Sequence, residues 1–161
     1  MMRNFKYGVF LFFAIFFISC SDSTSSENDI KKIHWDRDMC DRCRMVISEK
    51  KFAVQVINPH TNKTFLFDDL GCAISWFEEE NQPWIKEAKI WINDAHNGSF
   101  IDAKEAIYTK ENITPMGYGF SAYTQKTKPK NERYFSFEES VELINLRNHE
   151  YQQEKIGTKN E

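Results

Sequence analysis

The sequence predicts an α+β fold, in which two tandem, related strand-strand-helix units form one compact domain. Three observations carry this expectation. The chain has 161 residues with 41% hydrophobic and 15% aromatic content, enough for a single domain with a packed core. Short β-rich runs alternate with two stretches of helical periodicity. Finally, Phe65-Leu66-Phe67-Asp68-Asp69 before the first helix matches Phe135-Ser136-Phe137-Glu138-Glu139 before the second, at an offset of 70 residues. At an offset of 71, Met45 before the first strand corresponds to Met116 before the glycine-aromatic run 117–123. If the units pack about a pseudo-twofold axis, the two methionines converge on one site.

The elements follow in order. Residues 52–57 (Phe-Ala-Val-Gln-Val-Ile) read as a strand, 58–62 as a turn by composition, and 64–67 as the returning strand. Asp68 or Asp69 then caps a helix to about Glu80, whose stripe of Leu70, Ala73, Ile74 and Phe77 belongs to the core. Ile90-Trp91-Ile92 is a strand that turns through Asn97-Gly98 into Phe100-Ile101. Ala106-Ile107-Tyr108 is a further short strand, and 117–123 is read as another. Ser136-Phe137-Glu138-Glu139 is a capping box that opens a helix through Val141 and Ile144 to about Glu150. The domain is expected over 33–151, with a polar, frayed tail at 152–161.

Residues 1–19 read as a signal peptide, with Arg3 and Lys6 ahead of the apolar run from Val9 to Ile18, too short for a comfortable transmembrane helix. The run ends at Phe17-Ile18-Ser19-Cys20, similar to a bacterial lipobox except that Phe17 stands where Leu is usual. Cleavage before Cys20 leaves a diacylglyceryl, N-acylated cysteine, and several acyl chains make a stable anchor. Residues 20–32 are then a lipidated cysteine and flexible tether, and Ser21 points to the outer membrane with the domain facing the periplasm. The net charge of -3 comes without a basic face interleaved with aromatics, which argues against nucleic-acid binding.

Without Cys20, the chain keeps Cys40, Cys43 and Cys72, an odd number in an exported protein. At least one thiol must stay unpaired, so a disulfide scaffold fits poorly. Met39-Cys40-Asp41-Arg42-Cys43-Arg44-Met45 packs two thiols and two thioethers into seven residues, while the whole chain has four cysteines and five methionines. Thiolate with thioether is the ligand set that Cu(I) prefers, whereas zinc takes Cys, His and carboxylate. Cys-x-x-Cys alone also marks redox motifs and half-zinc sites, and Met45 alone fits equally well as the first core residue of Met45-Val46-Ile47. Cys72 reads most simply as a small buried core residue, and Asp68 and Asp69 as helix caps. Of the four histidines only His34 lies close to the cysteines in sequence.

Taken in order, Cys40-Asp41-Arg42-Cys43-Arg44-Met45-Val46-Ile47, Phe67-Asp68-Asp69-Leu70-Gly71-Cys72, Trp91-Ile92-Asn93-Asp94, Phe100-Ile101-Asp102-Ala103-Lys104-Glu105-Ala106 and Thr114-Pro115-Met116-Gly117-Tyr118-Gly119 resemble the NosL family, accessory lipoproteins of nitrous oxide reductase. The resemblance spans roughly 39–144. It implies a fold of two related halves similar to organomercurial lyase, and a non-enzymatic role in denitrification. That role is Cu(I) delivery to the maturing reductase through a membrane ABC-type assembly complex or to the apo-reductase itself. Cys43 and Met45 match the family's Cys-x-Met, and Met116 matches the methionine of the second half. Cys40 stands where members vary and is a fourth candidate ligand. Arg44 departs from the glycine that many members carry between Cys and Met. Two other functions remain open at this point: a thiol-disulfide oxidoreductase using Cys40 and Cys43, and a structural zinc module using Cys40, Cys43, Cys72 and a histidine.

Overall fold

The structure, a computed structural model, describes residues 30–157. The expected signal peptide, the lipidation site Cys20 and most of the tether lie outside the described residues. The first strand, β1 (Val54–Ile57), starts two residues later than expected, and β2 (Thr64–Phe67) lies where the sequence put it. The two form an antiparallel hairpin with Val54 opposite Phe67. Helix α1 (Leu70–Glu79) opens at Asp69, whose extended backbone and side-chain oxygen on the Gly71 N–H make an N-cap. Such a cap contributes about 1 kcal/mol by satisfying a donor that the helix cannot.

β3 (Lys89–Asn93) and β4 (Phe100–Asp102) complete an antiparallel sheet in the order β2-β1-β3-β4. β1 therefore lies between two partners, and its four residues are all buried. Its one polar side chain, Gln55, is fully buried but donates to the Lys31 carbonyl and accepts from the Lys31 N–H, at 2.7 and 3.0 Å. Those bonds offset its desolvation and fix the start of the domain. Trp76 and Phe77 of α1 stack with Phe65, Phe67 and Trp84, at ring separations from 4.5 to 5.9 Å. This aromatic layer holds α1 against β2.

A second, two-stranded sheet pairs β5 (Ile107–Thr109) with β6 (Ser121–Tyr123). The sheets are joined where Asp94 bridges Ala122. Buried Asp94 reinforces the joint by accepting from the Thr124 N–H and the Thr127 hydroxyl. Helix α2 (Phe137–Gly157) begins with the expected capping box: Glu139 Oε2 accepts from the Ser136 N–H at 2.7 Å and Ser136 Oγ from the Glu139 N–H at 3.2 Å.

Three expectations change. The strand expected over 117–123 is confined to 121–123, because Gly117 and Gly119 both adopt positive φ, +67° and +86°, and turn the chain out of any ladder. Helix α2 outruns its expected end, since Gln152, Gln153, Glu154 and Lys155 favour helix and no breaker precedes Gly157. Both units hold an antiparallel strand pair and a helix, but their pairing differs. In the first, the segment entering the helix pairs with the strand before it. In the second, Phe135 bridges Tyr108 of β5, which therefore lies between Phe135 and β6.

Candidate metal centre

The Cys-x-x-Cys segment is a tight hairpin loop. Met39 bridges Val46, the Cys40 N–H donates to the Met45 carbonyl at 2.8 Å, and the Arg44 N–H donates to the Cys40 carbonyl at 3.0 Å. Arg44 closes the turn at φ +65°, a conformation that glycine adopts without penalty. The stretch from Cys43 to Met45 is thus part of a turn, and Met45, which could have been the first core residue, is 51% exposed. The loop is anchored on β2, an edge strand with backbone groups to satisfy. The Asp41 N–H donates to the Leu66 carbonyl at 2.8 Å, and Asp41 Oδ2 accepts from the Leu66 N–H at 2.7 Å.

That anchor brings the loop to the N-terminus of α1. One Sγ each from Cys40, Cys43 and Cys72 and one carboxylate oxygen of Asp68 lie within 4.8 Å of one another. Cys40 and Cys72 are fully buried and Cys43 is half-buried, with its thiol 3.5 Å from Asp68 Oδ2. Sequence reading placed Cys72 in the core. It is indeed buried, but its sulfur belongs to this cluster. The available signal was that Asp68 directly precedes the Asp69 cap and Cys72 lies in the first turn of α1, so both sit at one helix end.

The three thiols of the cluster differ in acidity. A hydrogen bond from the Cys72 thiol, and after it the N–H groups of Cys43, Asp68 and Arg42, outweigh burial and hold Cys40 down at about 7. Burial, assisted by the neighbouring Cys40 and Asp68, raises Cys43 to about 11. Cys72 is pushed well up by its bond to Cys40 and by burial. Arg42 faces the same group, with its NH1 nitrogen 3.8 Å from Cys72 Sγ and two bonds of 2.7 and 2.9 Å to Glu79. The positive end of α1 adds to this bias toward anions.

Met116 reaches the same helix end from the second half of the chain. Asp69 Oδ2 accepts from Thr114 Oγ1 at 2.6 Å and from the Met116 N–H at 3.2 Å, while Oδ1 caps α1. One buried carboxylate therefore holds both the helix that carries Cys72 and the loop that carries Met116. Burial raises its pKa against those three hydrogen bonds. Tyr118 locks the loop further. Its hydroxyl lies 3.0 Å from both Ser75 Oγ and Asn148 Oδ1, and its ring occupies the place of a Gly71 side chain, since a Cβ there would meet the ring at 1.9 Å. Met116 and Arg42 line a cleft of about 680 Å³ between α1 and α2.

Among solved structures, the crystal structure of the copper chaperone NosL from Shewanella denitrificans matches with a TM-score of 0.57 and 14% identity, over 69% of this chain and 95% of that one. The chain has a NosL-like fold. No family model matches it, and no curated protein matches its sequence. In this chain the architecture is held by its apolar core and by joints such as Asp69 and Asp94. Among the described residues, no histidine enters the thiol cluster on this fold. His34 instead pairs with Asp38 at 3.4 Å, His60 with Glu87 and His149 with Glu78. Three thiolates and a carboxylate are a donor set able to hold a metal ion. The sulfurs suit Cu(I) and zinc alike, the carboxylate suits zinc, and the thioethers of Met45 and Met116 suit Cu(I).

Proposed function

We propose that this protein is a non-enzymatic Cu(I) chaperone of the NosL type, which carries copper as cargo for the assembly of nitrous oxide reductase. The supporting observation is the convergence of the three free thiols on one point of a NosL-like fold, beside a loop that carries Met116. Cys43, half-buried at the mouth of the cluster, is the primary ligand, with Met45 and Met116 completing the site and Cys40 as the fourth ligand. A thiolate supplies charge and affinity. Thioethers hold the soft ion without competing for protons and exchange one at a time, as transfer to a partner requires. The half-exposed Met45 is the ligand that a recipient displaces first.

In this reading Cys20 is acylated, residues 20–32 tether the domain to the outer membrane facing the periplasm, and the recipient is the ABC-type maturation complex or the apo-reductase. Cys20→Ala should release the protein from membranes or leave it unprocessed, and a processed mutant still found with membranes would overturn the anchor. Metal analysis after purification under reducing conditions tests the function: about one copper per chain is expected. Zinc in its place would point to a structural module built on Cys40, Cys43, Cys72 and Asp68.

A further inference from the structure

We propose that Cys40 and Cys72 form a reversible disulfide beneath Cys43, so that the cluster exists in a three-thiol state and a one-thiol state. The disulfide stands on geometry alone, whereas its consequence for copper rests on the reading above. Three thiols cannot all pair with one another, and their environments are unequal. The Cys40 sulfur lies within 4.8 Å of the sulfurs of both Cys72 and Cys43. Cys40 and Cys72 are both fully buried, while Cys43 is half-buried and turned toward Asp68.

The two pairings open to Cys40 differ in what they close. A bond to Cys43 makes a ring of four residues within a turn already closed by the Arg44-to-Cys40 and Cys40-to-Met45 hydrogen bonds. A bond to Cys72 joins the hairpin loop to the first turn of α1 across more than thirty residues of chain, links the two fully buried sulfurs and leaves the half-buried Cys43 on Asp68. The long-range bond is therefore the resting one.

Accessibility sets the route. The oxidant is a small disulfide-bonded thiol of the kind present outside the cytoplasm. The Cys43 thiol gives up its proton as its sulfur attacks one of the oxidant's sulfurs, the oxidant's S–S bond breaks, and the first thiol leaves carrying that proton. Cys40 attacks Cys43 in the mixed disulfide and expels the second thiol, which takes the Cys40 proton. Cys72 then attacks Cys40, and Cys43 leaves as a thiol with the Cys72 proton. In sum, two cysteines are oxidised, one external disulfide is reduced to two thiols, and Cys43 returns unchanged. Oxidation leaves Cys43 with Met45 and Met116 as the soft ligands, so the redox state sets how tightly Cu(I) is retained.

The test uses the metal-free full chain, treated with oxidised glutathione, alkylated in denaturant and mapped by mass spectrometry. Wild type should show Cys40 joined to Cys72 and Cys43 alkylated. Cys43→Ser should form the same bond at least about tenfold more slowly, because the accessible thiol is gone. Alkylation of Cys40, Cys43 and Cys72 alike, or a bond from Cys43 to either of the other two in wild type, would overturn the proposal. In a Cu(I) competition against bathocuproine disulfonate, the oxidised protein should bind at least about tenfold more weakly than the reduced protein. A mapped disulfide with equal Cu(I) affinity in both states would overturn the switch. Absence of Cu(I) binding in both states would instead count against the chaperone reading and leave the disulfide standing.

Discussion

The loops that meet at the N-terminus of α1 are held in different ways. The hairpin 39–46 is fastened mostly by backbone groups: its own turn bonds and the Asp41 N–H on the Leu66 carbonyl at the edge of β2, with the Asp41 carboxylate on the Leu66 N–H as the one side-chain tie. The loop 114–119 is fastened mostly by side chains of other elements. Asp69 grips Thr114 and Met116, Ser75 and Asn148 grip Tyr118, and Arg147 lies over the Tyr118 ring and donates to the Gly117 carbonyl. Backbone fastening fixes the thiols in a set geometry whether or not metal is bound. Side-chain fastening ties the methionine loop to α1 and α2 and not to a sheet ladder. In the proposed carrier, this division would leave affinity with the backbone-held thiols and release with the methionine loop.

The largest effect should come from breaking the second fastening at its tightest point. Gly71→Ala places a Cβ within the Tyr118 ring and should cost about 3 kcal/mol in urea unfolding. If the division holds, the variant keeps the Asp41 anchor and the thiol cluster. An unchanged unfolding midpoint would show that the ring packs elsewhere. Asp41→Ala breaks the first fastening by leaving the buried Leu66 N–H without its carboxylate, and should cost about 2 kcal/mol. It should also weaken Cu(I) binding more than Gly71→Ala does, even though it destabilises the fold less. The opposite ranking would place the affinity in the methionine loop.

The smallest effect belongs to Asp69, which joins the two regions. Its folded pKa is raised above the ordinary 3.8, so the folded state binds this proton more tightly than the unfolded chain. The stability it contributes is full below 3.8 and is lost as pH rises through its folded value. Asp69→Asn should abolish that loss, so its unfolding midpoint relative to wild type should climb upward from pH 3.8. A flat difference would show that the carboxyl is not buried as described.

Much of the fold was legible because its signals are local. β2, a cap at Asp68 or Asp69 that the structure places on Asp69, the apolar stripe of α1 and the Ser136–Glu139 capping box were all read from neighbouring residues. What escaped was non-local or conformational. Phe135 pairs with Tyr108 across 27 residues of sequence, and nothing near either residue announces it. Arg44 adopts positive φ although its side chain gives no hint of a turn. The four-residue sulfur cluster was half legible: Cys40 and Cys43 declare themselves by spacing, but Cys72 and Asp68 join only because Asp41 docks the hairpin on β2, directly before α1.

The central claim is that one Cu(I) sits between a fixed thiol and a movable thioether. Competition titration of Cu(I) against reduced wild type, Cys43→Ser and Met116→Leu tests it most directly. Cys43→Ser should abolish tight binding. Met116→Leu, a volume-conserving swap that costs less than about 1.5 kcal/mol of stability, should weaken binding while the fold persists. If Met116→Leu binds Cu(I) like wild type, the methionine loop is no part of the site, and the two-region account fails.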